Sequence, residues 1–253
     1  MSTPRISLVI PAYNEEHFLP RLLDTVDAAR TRFRSGADAI EVIVADNGST
    51  DRTAAIAVER KCRVVVVEPR NIAAVRNGGA AAARGEILAF VDADMRIHVE
   101  TFNAIDTAIG SGRFVAGATG VWLERWSLGL ILTWMVMVPM VIVMKMDTGV
   151  VFCRRADFES VGGYQPRHHF GEDVQFLLDL RRLGRQRGQS LTRLRPVKAI
   201  ASTRKFDEHG DWHYFTEMFR LGTQLLRGRV EQDEFVKKYW YFSGHRKPPK
   251  HGE

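Results

Sequence analysis

Cysteine is almost missing from this chain: two residues, Cys62 and Cys153, among 253. They form no CxxC, so neither a disulfide framework nor a cysteine-rich zinc site is expected, and both read as reduced, structural thiols of a cytosolic protein. No GxGxxG dinucleotide fingerprint and no GxxxxGK[ST] phosphate loop occurs anywhere. The start, "MSTPRISLVIPAYNEE", has no basic region ahead of a long apolar one, so no secretory leader is read there. Internal repeats and low-complexity segments are absent as well. Acidic residues are in deficit: 36 Lys and Arg against 30 Asp and Glu leave a formal charge of +6. That excess suits an anionic small ligand, a negative membrane surface or nucleic acid. The basic residues are scattered and thicken only toward the C-terminus, which argues against a nucleic-acid stripe. Hydrophobic residues at 45% and charged residues at 26% exclude a disordered chain.

What is present is alternation. "ISLVI" (residues 6–10) is a short apolar run that Pro11 is expected to stop. In "NEEHFLPRLLDTVDAARTRF", Phe18, Leu22, Val26 and Phe33 fall near one helical face, and Glu15 and Glu16 give the acidic start that a helix N-terminus favours. "AIEVIVAD" (39–46) reads as a second buried strand, followed by the polar turn "DNGSTD" and a helix from about Arg52. "CRVVVVE" is a third strand, "VRNGGAAAARG" a tightly packed helix and "EILAFVDAD" a fourth strand. Strands alternating with helices predict an α/β fold, a mostly parallel sheet with helices on both faces. Ligands of such sheets bind beyond the carboxyl ends of the strands. Three of these runs end in marked residues: "PAYNE", Asp46, and Asp92 with Asp94.

Residues two apart on a strand share a face, so Asp92 and Asp94 are expected to project together if the strand continues through them. Two carboxylates so close repel unless a cation neutralises them or one is protonated. A hard divalent ion, Mn²⁺ or Mg²⁺, takes one or two carboxylates and completes its shell with substrate phosphates. The bland reading of an isolated DxD is an acidic turn after a strand. Its neighbours decide otherwise. "LVIPAYNEE", "VIVADNGSTD", "ARGEILAFVDAD" and "GEDVQFLL" occur in this order, and together they resemble the family 2 glycosyltransferases over roughly residues 5–205.

The resemblance implies the GT-A fold, a Rossmann-like nucleotide-binding half (about 1–96) joined to an acceptor half (about 97–205) in one catalytic domain. It implies that Pro11, Ala12, Tyr13 and Glu15 line the nucleotide base, with the ring of Tyr13 available for stacking. Asp46 accepts a hydrogen bond from the base, and Arg76 approaches the nucleotide. Asp94 ligates the metal, and Asp92 contacts the ribose or a metal-bound water. The second aspartate usual after Asp46 is replaced by Asn47, which is read as shaping the turn. Asp51 is read as a cap for the following helix.

In the acceptor half, "GVVFCRR" reads as a strand, "GGYQP" as a turn, and Glu172 and Asp173 as the opening of an amphipathic helix carrying Phe176, Leu177, Leu180 and Leu183. By resemblance the "ED" faces the acceptor, with Asp173 as general base and Glu172 orienting the acceptor or the metal side. His168 and His169 lack zinc spacing and are read as a loop over the acceptor. Arg204 or Lys205 is a candidate to neutralise the leaving diphosphate, and His209 a weaker metal candidate.

The run "SLGLILTWMVMVPMVIVM" (127–144) carries no charge. It sits at the lower edge of a membrane span, but a single span would part Asp92 and Asp94 from Asp173, so a buried or interfacial segment is expected. Residues 206–242 are read as an amphipathic helical extension and 243–253 as a disordered tail. The function expected is metal-dependent transfer of a sugar, with inversion, from a nucleoside-diphosphate sugar, UDP-linked, to a hydroxyl of a glycan, lipid or small molecule. No nucleic-acid partner is expected. Peripheral attachment to the inner face of a membrane and homodimerisation stay open. The rival readings are a nucleotidyltransferase, which would want a Gly/Arg-rich loop where "PAYNEE" stands, and a non-catalytic sugar-nucleotide-binding protein.

Overall fold

The structure is a computed structural model that describes residues 3–68, 70–132, 135, 149–165, 172–204 and 210. The chain divides into two compact units, residues 1–124 with 137–202, and residues 125–136 with 203–253. The first unit holds the sheet. Its elements run β1 (Ile6–Ala12), α1 (Leu19–Arg32), a 3-10 turn (Ala37–Ala39), β2 (Ile40–Asp46), α2 (Thr53–Glu59), β3 (Arg63–Val66), α3 (Ile72–Ala82), β4 (Ile87–Phe90), β5 (Met95–Arg96), α4 (Thr101–Gly110), β6 (Phe114–Leu123), β7 (Val151–Arg154), α5 (Arg155–Ser160), α6 (Glu172–Gln186) and β8 (Ser190–Ala201).

Among the described residues eight strands form one sheet in the order β3-β2-β1-β4-β7-β6-β8-β5. The expected parallel arrangement holds for β3, β2, β1 and β4. Beyond them β7 runs antiparallel to β4 and to β6, while β6 and β8 are parallel. Alternation along β1 builds both cores. Ile6, Leu8 and Ile10 pack with Leu22 and Val26 of α1 and with Phe102 and Ile105 of α4. Val9 packs on the other face with Ala73 and Ala80 of α3 and with Phe176, Leu177 and Leu180 of α6. Each such fully buried side chain contributes roughly 1.5–3 kcal/mol. Gly78 and Gly79 let α3 settle on the sheet, because a Cβ at either would collide with Val67 or with Val9.

Pro11 does not end β1, which runs on to Ala12 opposite Asp46. The pairing with β4 has stopped at Val9 and Phe90, so no ladder bond on that side needs a donor from Pro11. Nor do Glu15 and Glu16 open α1. That helix starts at Leu19, with a proline in its first turn and no acidic residue there. Strands β5 and β6 and helix α4 had no clear signal in the sequence. "FVAGATGVWL" is half small residues, and β6 carries register shifts against β8 that accommodate the proline-containing segment between Leu194 and Lys198. Cys62 and Cys153 are free thiols, as expected, and burial pushes both up, Cys62 to about 11.

At the amino ends of the central strands a buried knot ties three segments. Ser7 Oγ donates to Glu41 Oε2 (2.7 Å) and accepts from the Gly85 N–H (2.8 Å). Arg84 gives Glu41 both its backbone N–H and its Nε, each at 2.9 Å. At the carboxyl end, the link from β4 to β5 is short. Phe90 and Met95 are five residues apart, yet β7, β6 and β8 lie between their strands in the sheet order. Four strand spacings of about 4.8 Å come to roughly 19 Å. Five extended residues reach at most ~18 Å. The sheet therefore curls, bringing its far edge back over the end of β4.

Among the described residues, no helix is long and apolar enough to cross a membrane. Residues 133–134 and 136–148 of the apolar run, the expected helix within 206–242 and the tail 243–253 lie outside the described residues.

Candidate active site

The carboxyl ends of β1, β2 and β4 carry the marked residues, as doubly covered sheets require. The loop after β1 and the turn after β2 are laced to each other. Asn14, in the left-handed region at φ 54, accepts the Thr50 N–H at Oδ1 (2.8 Å) and gives its own N–H to Ser49 Oγ (3.0 Å). The Glu15 N–H reaches Thr53 Oγ1 (2.7 Å), and the Glu16 N–H reaches Asp51 Oδ2 (3.1 Å). Asp51 also accepts the Thr53 N–H at 2.9 Å, but the N-cap position of α2 itself is held by Arg52, one residue later than the sequence predicted, without a side-chain bond. Asp46 is buried at the end of β2 and accepts the Ser49 N–H on both carboxylate oxygens, each at 3.3 Å. Asn47 shapes the turn, with its amide donating to the Val67 carbonyl (2.6 Å). Tyr13 is half-buried beside these groups, with the Arg70 guanidinium 5.1 Å from its ring centre.

The second group centres on Arg76, which α3 delivers into the interior with 4% of its surface exposed. Its guanidinium meets Asp92 Oδ1 at 2.8 Å, Glu172 Oε1 at 2.9 Å and Asp173 Oδ1 at 3.2 Å. Burial opposes the Arg76 charge, but Asp173 and Asp92 outweigh it and push its pKa well up, so the guanidinium stays charged. For Asp173 the balance goes the other way. Burial, helped by the charges of Asp92 and Glu172 and opposed by Arg76, pushes its carboxyl up to about 6. Oδ1 of Asp173 and Nε of Arg76 are both buried without a hydrogen bond, so the Arg76–Asp173 contact is one of charge alone. The Asp173 side chain as a whole keeps 18% of its surface, so solvent reaches the group though not that oxygen.

Nothing in the sequence marked Tyr164. Its ring is fully buried, stacked on Phe176 at 4.2 Å and edge-on to Phe90 at 5.1 Å, with the Arg76 guanidinium 5.2 Å away. Asn77 grips its backbone on both sides, accepting its N–H (2.9 Å) and donating to its carbonyl (2.8 Å). "GGYQP" was legible only as a turn, which Gly162 and Gly163 do form with positive φ.

Asp92 and Asp94 do not continue a strand. β4 ends at Phe90, Ala93 and Asp94 form a turn, and the Met95 N–H donates to the Asp92 carbonyl (3.1 Å), so the alternation expected there does not apply. Asp94 borders a small depression shared with Phe18, Arg21, Arg96 and Glu124. Among the described residues no three His, Cys, Asp or Glu side chains converge on a metal position. What Asp92 and Asp94 offer is carboxylate oxygen, with Asp92 41% exposed. That donor set fits Mg²⁺ or Mn²⁺ shared with a bound diphosphate, and does not fit a self-contained structural metal. Arg204 belongs to the other compact unit. Lys205, His168, His169 and His209 lie outside the described residues.

The fold is that of the GT-A glycosyltransferases. TarS of S. aureus, solved with UDP-GlcNAc, matches with a TM-score of 0.62 at 19% identity, over 79% of this chain and 59% of that one. Glucosyl-3-phosphoglycerate synthase of Mycobacterium tuberculosis, solved with Mn²⁺, UDP and phosphoglyceric acid, matches with a TM-score of 0.59 at 20% identity, over 90% and 80%. The sequence narrows this class. Residues 7–120 match the model of Glycosyl transferase family 2. The undecaprenyl-phosphate 4-deoxy-4-formamido-L-arabinose transferase of Pseudomonas paraeruginosa is 37% identical over 120 residues, 45% of this chain and 34% of that protein. The chain spans about a third or less of the length of the first curated relatives it matches.

Proposed function

We propose that this protein transfers a sugar from a nucleoside-diphosphate sugar, UDP-linked, to a hydroxyl acceptor, with inversion at the transferred carbon. The observation that carries the reading is the Arg76 cluster. One buried cation joins Asp92, from the nucleotide half, to Glu172 and Asp173, from the acceptor half. A donor bound against Asp92 would thus have its sugar carbon near the acidic start of α6. The UDP and UDP-GlcNAc seen in the two structural neighbours support the choice of donor.

The roles follow from the surroundings. Pro11, Ala12, Tyr13 and Glu15 form one wall of the base pocket and Asp46 its hydrogen-bond acceptor, on a floor stiffened by the Asn14–Ser49–Thr53 lacing. Arg76 holds Asp92 and the "ED" pair in register. Asp173 takes the acceptor's proton, and a carboxyl near 6 is well matched to that task around neutral pH. Glu172 orients the acceptor. A divalent ion held by Asp94 and Asp92 would supply Lewis-acid stabilisation of charge on the leaving group.

The test is incubation with a panel of UDP- and GDP-sugars in Mn²⁺ and in EDTA, following nucleoside-diphosphate release and nucleotide affinity. Release with Mn²⁺ and its loss in EDTA are expected, and Asp46→Ala should weaken UDP binding while leaving the metal requirement intact. Equal UDP affinity in Mn²⁺ and EDTA would refute the shared-metal account. Release of pyrophosphate from nucleoside triphosphates would favour nucleotidyl transfer instead.

A further inference from the structure

We propose that the Tyr164 hydroxyl donates a hydrogen bond to Oδ1 of Asp173, making Tyr164 a positioning residue for the proton-accepting carboxylate. The catalytic part of this rests on the role proposed for Asp173 above.

Both atoms are buried and neither has another hydrogen-bond partner, Arg76 meeting Oδ1 by charge alone. A buried hydroxyl without a partner is costly, and so is a buried carboxylate oxygen, so two such atoms on neighbouring side chains are a matched pair. The neighbourhood is fixed by packing. Asp173 lies one helical turn before Phe176 on α6, so the two share a side, and Phe176 stacks on Tyr164 at 4.2 Å. The charge of Asp173 is also among the causes that push the Tyr164 hydroxyl well above the usual tyrosine range. The other rings of this cluster, Phe90, Phe158 and Phe176, carry no polar atom. A phenylalanine would satisfy the packing at 164 as well; the hydroxyl is the one feature that packing does not require.

α3 prepares both partners of the carboxylate. Arg76 brings the cation, and its neighbour Asn77 clamps the Tyr164 backbone at N–H and carbonyl. With Oδ1 tied inward, the second oxygen of Asp173 is left for the acceptor. In the step it serves, the acceptor O–H bond breaks, its proton goes to that oxygen, and the freed electron pair attacks the sugar carbon. The hydroxyl of Tyr164 keeps its own proton throughout.

The experiment combines a thermal double-mutant cycle with kinetics on the full chain. Tyr164→Phe should lower Tm by about 2–4 °C in the wild-type background and leave it unchanged in an Asp173→Ala background, with Asp173→Leu as the second background should alanine fail to fold. Equal shifts in both backgrounds overturn the hydrogen bond. In the nucleotide-sugar assay with Mn²⁺, Tyr164→Phe should cut kcat by up to about 10²-fold, the scale of a misplaced reacting group, with donor KM unchanged. A wild-type kcat in Tyr164→Phe beside an inactive Asp173→Asn overturns the positioning role alone. A fully active Asp173→Asn overturns the proposed base, while the Tm cycle still decides the hydrogen bond.

Discussion

Glu41, buried on β2, and Asp173, largely buried at the start of α6, lie toward opposite ends of the central strands, and the protein treats them in opposite ways. Glu41, at the amino end, accepts from Ser7, from the Arg84 backbone and from the Arg84 side chain. Those bonds outweigh the burial that opposes its charge and hold its carboxyl below the usual range. Asp173, at the carboxyl end, has burial and the charges of Asp92 and Glu172 against it, with only the Arg76 cation and the Tyr164 hydroxyl proposed above on its side, and its carboxyl rises to about 6. A satisfied carboxylate holds its charge and serves as a fastener. A carboxylate with few donors, crowded by other acids, costs stability and keeps an affinity for protons that chemistry can use. Burial alone does not separate the two cases; the count of hydrogen bonds does.

The comparison breaks most sharply under isosteric neutralisation. Asp173→Asn should slow turnover by roughly 10²–10⁴-fold, the usual range for losing a general base, with UDP affinity kept. Glu41→Gln should leave kcat per folded molecule unchanged. Turnover and calorimetry on both variants check this, and a catalytic defect in Glu41→Gln would erase the distinction. Next in size, Arg76→Met strands three carboxylates around an empty centre. It should cost about 3–5 kcal/mol in denaturant unfolding, the scale for removing one partner of a buried ion pair. Near-wild-type stability would mean that Arg76 does not carry the cluster.

At the opposite end, Ser7→Ala removes a donor to Glu41 and an acceptor for Gly85, and should cost about 1–3 kcal/mol with activity unchanged. The smallest effect is the pH response, and its two signs differ. The raised carboxyl of Asp173 takes up its proton in the folded protein before the unfolded chain does. Its contribution to stability therefore falls as pH rises from its ordinary 3.8 to about 6. The lowered carboxyl of Glu41 contributes above its ordinary 4.5, and that contribution is lost as pH falls through its folded value. Asp173→Asn should flatten the stability profile between those Asp173 limits, and Glu41→Gln should weaken only the acid limb. Turnover should rise with pH through about 6 in the wild type.

The strand ends were legible because apolar runs that stop at carboxylates leave a local mark. The first four strands, α3 and α6 followed from such runs and from spacing. What escaped the sequence is polar pairing over long separations. Asn77 and Tyr164 are 87 residues apart, and Asn14 and Ser49 are 35 apart, and neither pair has any periodicity to betray it. Arg76 was picked out, but its surroundings were not, since an arginine among small residues reads equally well as a surface cation. The turn at Ala93–Asp94 was misread because the apolar run gives no notice of where pairing stops. Strand β6 was hidden by its glycines and alanines, which suit a crowded sheet but carry weak strand preference.

The short link from Phe90 to Met95 has a mechanical consequence. It fastens the middle of the sheet to its far edge, where Met95 pairs with Ala201. Like the clasp on a bent spring, it is too short to span a flattened sheet, so the sheet cannot flatten or swing open about β4 without first tearing β5 from β8. Asp92 and Asp94 sit on the clasp itself.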